Sequence, residues 1–481
     1  SYGLRPKKPP VPKDERRINL ISARESYADF HCDNLVVPDD VPIDEASLPS
    51  DLLVQALHLL QDLLPIAASH QPPASSDPEE RLRDAYTVLY RLVRSPPRWH
   101  PELAAAARAQ NLLGALGSGG PFAKLVERAE PGSETPYAID LRYLADYPVR
   151  PGLAPIGCRI NYDAPEGRLT VAHVEYRDRK AAPGDAGWDF IERIALCSLV
   201  THLTVWRHGM QYHVAGVAPV AVVTHNLPAD HPLRRLLAAH TASTISVDYN
   251  THMTLRRSGY DVTGFSFPRE TIFRYYDDGA AAFDLNRLDV RADAERRGIG
   301  DDLWYPYLPQ AVRYYDLIAA YVTAYIDHYY ADDAALAGDA AAQAWFDELD
   351  RSMLKGVRYF APSLTKRDLA RLCTVFIYAV TFEHEQNTMW DYAVFLPSSV
   401  REDGRPQSVG EVQNVLNFQL VISSATNRLL DDFSHLALDP GAARIMRDFR
   451  ASLRMLQTEL EAEGDHYWVV YPQDLEASVS A

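Results

Sequence analysis

The sequence predicts a mainly α-helical protein, built as a single large domain with a small β element. Apolar residues at helical spacing dominate from Trp188 onward, whereas strand-like alternation is confined to residues 138–180. With 481 residues, 47% of them hydrophobic, the chain is long enough and apolar enough to bury one large core. No internal repeat points to a solenoid.

Residues 1–50 are rich in proline and charge and predict an extended N-terminal arm. Residues 51–481 are expected to form the helical domain, with a lead-in to about residue 185 and a core over 186–481. The lead-in contains RINYDAPEGRLTVAHVEYRD (159–178), whose alternation around APEG predicts a β-hairpin. Apolar periodicity predicts helices over 50–68, 81–94, 101–115, 120–129, 188–213, 231–240, 309–330, 339–354, 366–391, 409–431 and 439–463.

Charge and composition exclude several classes of protein. A formal charge of −17 argues against binding to nucleic acid and against adhesion to an anionic membrane surface. No apolar run reaches the length of a transmembrane helix, and the N-terminus resembles no signal peptide. The four cysteines form no CxxC pair, which is typical of a reducing compartment. We therefore expect a cytoplasmic protein; the sequence does not predict an oligomeric state.

The segment HLTVWRHGMQYHV (202–214) contains three histidines in an otherwise apolar stretch. His208 and His213 are five residues apart, so on an ideal α-helix their side chains would point about 140° apart. A π-turn inserts one extra residue and would bring both imidazoles to one side, and such turns occur mostly at functional sites. The pair is therefore either two unrelated core histidines or a ligand pair on a π-turn. His202 is not expected to be a ligand.

A third buried histidine, His384, lies in VFIYAVTFEHEQNTMWDY (375–392). Asn387 and Thr388, three and four residues later, share its helical face. Neutral imidazoles with oxygen ligands and no cysteine suit iron or manganese at a site with open positions.

Several segments, in the same order, resemble the lipoxygenase family. The family has an H-x4-H pair followed by an HP-x-x-x-LL-x-x-H signature, and HGMQYHVAGVAPVAVVTHNLPADHPLRRLLAAHT (208–241) resembles this stretch. Further resemblances lie in RRGIG (296–300), WYPYLPQAVRYYDLIAAYVTAYIDHYYADDAAL (304–336), DAAAQAWFDEL (339–349), HEQNTMWDY (384–392) and YPQDLEASVSA (471–481). The resemblance covers about residues 185–481, and the family's separate N-terminal β-sandwich is expected to be absent or reduced.

The resemblance implies a site with one non-haem iron, or possible use of manganese, and no organic cofactor. Its catalytic and metal-binding histidines would be His208, His213 and His384, and the carboxylate of the final residue, Ala481, would also bind the metal. Thr388 stands at the position of the family's asparagine ligand, with Asn387 or water as the alternative. Two departures accompany this set: alanine replaces the family's terminal isoleucine, and Val217-Ala218-Pro219 replaces its Glu-Pro-Phe.

By resemblance, the chain is expected to be an oxidoreductase of the dioxygenase type. It would abstract hydrogen from an activated C–H bond of a polyunsaturated fatty acid or related lipid and add dioxygen. Thr251, a candidate substrate-site residue, lies near a position where side-chain size affects the site of oxygenation in relatives. The altered ligand set and the 27 tyrosines motivate an alternative, an oxygenase or oxidase of the same fold that acts on a specialised metabolite. A non-catalytic helical interaction protein is the remote alternative.

Overall fold

The computed structural model describes residues 8–23, 33–45, 99–249, 265–352, 354–384, 396–409, 411–412 and 427–479. The helices predicted over 50–68 and 81–94, and most of the one predicted over 409–431, lie outside these ranges. The prediction of a mainly helical protein with a small β element is confirmed. The predicted division into an arm and a helical domain near residue 50 stays a prediction.

The β element is a five-stranded antiparallel sheet in which neighbours in sequence are neighbours in space. The predicted hairpin is confirmed as its two longest strands, Arg159–Asp163 and Thr170–Tyr176, which are joined through a short turn at Pro165–Gly167. The other strands are Glu127–Arg128, Tyr137–Asp140 and Arg179–Ala181. These strands have only two to four residues, too few for alternation to reveal them.

A continuous helical rod runs through the core and changes its winding twice. It begins as the α-helix Trp188–Thr201, becomes a π-helix over His202–Val217 and ends as the α-helix Ala218–His225. Most of its side chains are buried, including Leu199 and Leu203, which are fully inaccessible. The rod predicted over 188–213 is therefore present and extends twelve residues further.

Other long amphipathic helices pack against one another, because each has one apolar face to bury. Helix Tyr307–Tyr329 packs against Lys366–Tyr378 and Pro440–Glu463. The Asp439 carboxylate caps the last of these by accepting from the amide of Ala442. The remaining α-helices of the described ranges are Pro101–Arg108, Leu112–Ser118, Pro232–Thr241, Arg269–Ala281, Val290–Arg296, Asp333–Ala337, Ala340–Arg351 and Val357–Phe360.

Two sequence-based boundaries were wrong. The helix predicted over 120–129 is a single 3₁₀ turn, Ala123–Leu125, followed by a strand. The helix predicted over 101–115 is broken at Gln110, whose φ of 55° no helix accommodates. Helix Arg269–Ala281 had not been predicted.

The described N-terminal residues make polar contacts with the rest of the chain. The strands Leu20–Ser22 and Val36–Pro38 pair with each other, and Ile18 donates its amide to Asn226 Oδ1. Farther along, Asn34 donates to both carboxylate oxygens of Asp277. Within the described ranges, no helix combines the length and the apolar character that crossing a bilayer requires.

Candidate metal centre

The π-helix brings His208 and His213 to the same side of the rod. Their Nε2 atoms are 3.3 Å apart, although an α-helix would separate the two side chains widely. The predicted π-turn is therefore present, and it is longer than one turn: the π-helical segment spans 16 residues.

His384 completes the cluster from a second helix. Its Nε2 lies 2.8 Å from that of His208 and 3.2 Å from that of His213. A second π-helical segment, Ala379–Glu383, immediately precedes it and was not predicted. The structure thus joins three histidines that the sequence separates by up to 176 residues.

The three nitrogens fit a transition-metal ion. Metal–imidazole bonds are about 2.1 Å long, so ligands at right angles on one ion lie about 3 Å apart, close to the 2.8–3.3 Å found here. Each histidine is at most 8% exposed. With Nδ1 protonated, each Nε2 would direct its lone pair toward the same point. Three such acceptors cannot form hydrogen bonds with one another.

Burial keeps these imidazoles neutral, as metal ligands must be. It lowers the pKa of His213 to about 4. It also lowers the pKa values of His208 and His384 well below the usual range, with further depression from the neighbouring histidines and from Lys124. At neutral pH a metal ion therefore has no proton to displace at this cluster.

A buried polar network lies directly beside the histidines. Glu383 pairs with Lys124, accepts from Tyr212 at 2.8 Å and from Tyr307 at 2.6 Å, and accepts from Tyr378 at 3.0 Å. Burial raises the pKa of Glu383, but Lys124 and the hydroxyl donors outweigh it and hold the pKa at about 2. Burial lowers the pKa of Lys124 to about 8, against the attraction of Glu383. The pair is therefore ionised at neutral pH.

Asp248 lies near the Nδ1 atom of His213. Its carboxylate oxygen is 3.8 Å from Nδ1 of His213, longer than a hydrogen bond, and the residue is 1% exposed. Neither oxygen has a hydrogen-bond partner within the part of the chain that the structure describes, and burial raises the pKa of the carboxyl group well above its usual range. A small rotation would let Asp248 accept from Nδ1 and orient the His213 ring.

Four residues proposed from the sequence lie outside the described residues: Asn387, Thr388, Thr251 and Ala481. Their roles stay predictions. The last described segment, 475–479, is buried against the helical stretch that leads to Asp248. There the carbonyl of Val479 accepts from Thr244. His202 stands apart from the cluster, as expected, and shares a 2.5 Å hydrogen bond with the hydroxyl of Tyr143.

Sequence reasoning missed the charged neighbours of the site, Lys124, Glu383 and Asp248. A usable signal existed for Glu383, because it is a single carboxylate inside the apolar run VFIYAVTFEH. Arg207 carries the same signal in VWRHGM, and it is 8% exposed. An ionisable residue in a stretch otherwise fit for burial indicates a buried partner or a ligand.

Comparison with known proteins agrees with this arrangement. A family model described as Lipoxygenase matches residues 153–403, slightly more than half of the chain. The match begins earlier than the resemblance noted above and includes all three histidines.

Curated relatives share low identity with a limited part of the chain. Arachidonate 12-lipoxygenase, 12R-type, of Mus musculus is 24% identical over 237 residues, which cover 44% of this chain and 33% of that protein. Manganese lipoxygenase of Pleurotus sapidus is 27% identical over 248 residues, covering 48% and 37%. The chain thus matches about a third of the length of these relatives.

Solved structures match more of the chain. A calcium-dependent 11R-lipoxygenase superimposes with a TM-score of 0.77 at 15% identity, covering 96% of this chain and 78% of the other. Coral 8R-lipoxygenase gives a TM-score of 0.77 at 13% identity, with coverage of 96% and 79%. At such identity the likeness establishes the fold.

Proposed function

Because this chain belongs to the lipoxygenase family, we propose that it is a non-haem iron oxygenase whose metal is held by His208, His213 and His384. The observation that carries the proposal is the convergence of three neutral, buried Nε2 atoms within 3.3 Å of one another. Lipoxygenases use iron, and the relative from Pleurotus sapidus is a manganese enzyme, so either metal suits these ligands.

The chain's own residues would prepare the site for its metal. When bound, the metal supplies the one-electron chemistry that activates a C–H bond for reaction with dioxygen. Burial of the imidazoles excludes bulk water and keeps their nitrogens unprotonated. Tyr212 and Glu383, each next to a ligand histidine, hold the two ligand helices together.

The first candidate substrate is a polyunsaturated fatty acid or a related lipid. Its support is the names of the relatives, which act on arachidonate and linoleate. A second candidate is a more polar metabolite. Its support is the charge buried near the histidines, on Lys124, Glu383 and Arg207, because pockets for long acyl chains are lined mainly by apolar side chains.

Oxygen consumption by the metal-loaded protein tests the proposal. With arachidonate or linoleate, we expect oxygen uptake together with the absorbance of a conjugated diene. Uptake should be lost in His208→Ala and retained in His328→Ala, a histidine on the outer surface. Uptake only with more polar substrates would select the second candidate. Stoichiometric metal without uptake from any substrate would contradict the proposal and favour a non-catalytic protein.

A further inference from the structure

Glu45, one of the described N-terminal residues, is a buried carboxyl group that binds backbone amides far along the chain. Only 8% of the residue is exposed. Its Oε2 atom accepts from the amide of Ser246 over 2.9 Å, and the carboxyl group also accepts from the amide of Ser243. The amide of Ser246 belongs to the first turn of the helical stretch 244–249, where backbone donors have no partner within the helix. Glu45 therefore caps this stretch from 201 residues earlier in the sequence.

The backbone at Ser243 has a conformation that a serine rarely adopts. Its φ is 62°, in the left-handed region, immediately before the helical stretch 244–249. Such a conformation persists only where neighbouring groups fix it. The hydroxyl of Ser478 donates to the carbonyl of Ala242 over 2.9 Å, and Glu45 accepts from the amides on the other side of the turn. Glu45 is thus one of the groups that set the direction in which the stretch leaves this turn.

The same helical stretch carries Asp248 to the histidine cluster. Asp248 follows Ser246 by two residues, and its carboxylate oxygen lies 3.8 Å from Nδ1 of His213. Since a hydrogen bond of this kind requires a separation of about 2.7–3.2 Å, a displacement of about 1 Å decides whether the bond forms. The position of the backbone around Asp248 therefore controls whether this residue can orient the His213 ring.

A small apolar cluster joins the same parts of the chain. Ile245 packs with Ala221 and Val222 of the rod and with Ile18 of the N-terminal residues, and each of the four is at most 2% exposed. The N-terminal residues thus contact the helical stretch through an apolar side chain as well as through Glu45. Because the apolar cluster is unchanged in a variant of Glu45, such a variant tests the cap and not the packing.

We propose that Glu45 is a positioning residue for the metal centre. It caps the helical stretch that carries Asp248 and so holds this carboxyl group where it can orient His213. The inference rests on the proposed function, and Glu45 acts through Asp248 rather than on the metal itself. It adds to the site a residue that lies outside residues 153–403, the part of the chain that the family model matches.

Competition with a fluorescent chelator for Mn²⁺, measured on the full chain, tests this role. Glu45→Ala should weaken Mn²⁺ binding by about tenfold, the lower end of the usual effect of a group that supports a ligand. A cavity of about 70 Å³ beside Glu45 gives water access to the freed amides, so we expect this variant to fold. Glu45→Gln should retain most of the affinity, because its amide oxygen still accepts from the backbone. Burial raises the pKa of Glu45 to about 8, so glutamine also matches the mostly uncharged group present at neutral pH.

A double-mutant cycle with Asp248 separates positioning from general support of the fold. If Glu45 acts through Asp248, adding Glu45→Ala to Asp248→Ala should cause little further loss of Mn²⁺ affinity. Equal losses in the two backgrounds would overturn the proposal. Asp439→Ala is the matched control, because it removes the cap of the helix Pro440–Glu463. It should lower the melting temperature without changing Mn²⁺ affinity, and a loss of affinity as large as that of Glu45→Ala would also overturn the proposal.

Amide hydrogen exchange of the metal-free protein gives a readout that requires neither metal nor turnover. Peptides that cover residues 243–249 should exchange faster in Glu45→Ala than in the wild type, because they lose the group that holds their first turn. Peptides that cover the π-helix His202–Val217 should exchange at the wild-type rate. Unchanged exchange over residues 243–249 would show that Glu45 does not hold this stretch and would overturn the inference.

The two proposals fail on different results. Mn²⁺ affinity that depends on Glu45, without oxygen uptake from any substrate, would remove the oxygenase and keep the positioning role. Unchanged Mn²⁺ affinity in Glu45→Ala, together with normal oxygen uptake, would keep the oxygenase and remove the positioning role. A wild-type protein that binds neither Mn²⁺ nor Fe²⁺ would overturn both.

Discussion

Tyr212 donates its hydroxyl to the carboxylate of Glu383 over 2.8 Å, and each of these residues immediately precedes one of the converging histidines. The bond therefore connects the two helices that carry His213 and His384. Lys124 adds a third element, since it donates to both partners. The two helices that carry the histidines are thus joined through Tyr212, Glu383 and Lys124.

The first prediction concerns the Lys124–Glu383 ion pair. Glu383→Gln should lower the free energy of unfolding by about 3–5 kcal/mol, because it leaves a buried lysine without its counter-ion. The double variant Lys124→Met/Glu383→Gln should recover part of this loss. Urea denaturation of the wild type, Lys124→Met, Glu383→Gln and the double variant measures the coupling, and additive effects would show that the pair does not act as a unit.

The second prediction concerns two glycines in the first π-helix. A Cβ at Gly216 would lie 2.7 Å from the carbonyl oxygen of Gln211, five residues earlier, and 3.0 Å from the ring of Phe283. A Cβ at Gly209 would meet only the carbonyl of Thr204, at 3.3 Å. Gly216→Ala should therefore destabilise the protein by about 1–3 kcal/mol. Gly209→Ala should cost far less, and equal effects would argue against the π-helical backbone.

The third prediction concerns acid stability of the metal-free protein. Burial lowers the pKa of His202 in the folded state. Below pH 6.5, His202 therefore binds a proton in the unfolded chain but not in the folded chain. Stability from this group is therefore lost as the pH falls, by about 1.4 kcal/mol for each pH unit. Glu45 has the opposite effect. Burial raises its pKa to about 8, so its contribution to the stability of the folded state increases as the pH falls.

Comparison of variants isolates the histidine contribution. His202→Gln should lose less stability than the wild type between pH 6.5 and pH 5, as measured by chemical denaturation at each pH. Parallel curves for the two proteins would mean that His202 is protonated equally in the folded and unfolded states.

The fourth prediction concerns Asp248. If its carboxylate orients His213, Asp248→Ala should weaken metal binding by about 10–100-fold, the usual effect of removing a group that supports a ligand. Asp248→Asn, which keeps an acceptor oxygen, should retain more of the affinity. Competition with a chelator measures both variants, and unchanged affinity in Asp248→Ala would assign the residue to packing alone.

The sequence predicted the parts of the fold that repeat locally. Helices such as Tyr307–Tyr329 and Pro440–Glu463 were found within two residues, because long apolar stripes are unambiguous. The hairpin was found because polar and apolar residues alternate on both sides of the turn at APEG. The short strands around it were missed, since two to four residues carry no detectable period.

The residues of the site show the same contrast between what a local pattern reveals and what depends on distant contacts. His208, His213 and the π-helix between them followed from one segment of sequence and a family resemblance. The contact of Glu383 with Lys124 spans 259 residues, and no local pattern encodes it. Arg207 was visible as a charge in an apolar segment, but its burial became apparent only from the structure.

Metal content measures the central claim most directly. Purified wild-type protein, loaded with Fe²⁺ or Mn²⁺ and freed of excess metal, should hold about one ion per chain. His208→Ala, His213→Ala and His384→Ala should each lose most of it, while the surface variant His328→Ala keeps the wild-type amount. Wild-type metal content in all three cluster variants, with folding confirmed by circular dichroism, would contradict the assignment of these histidines as the metal site.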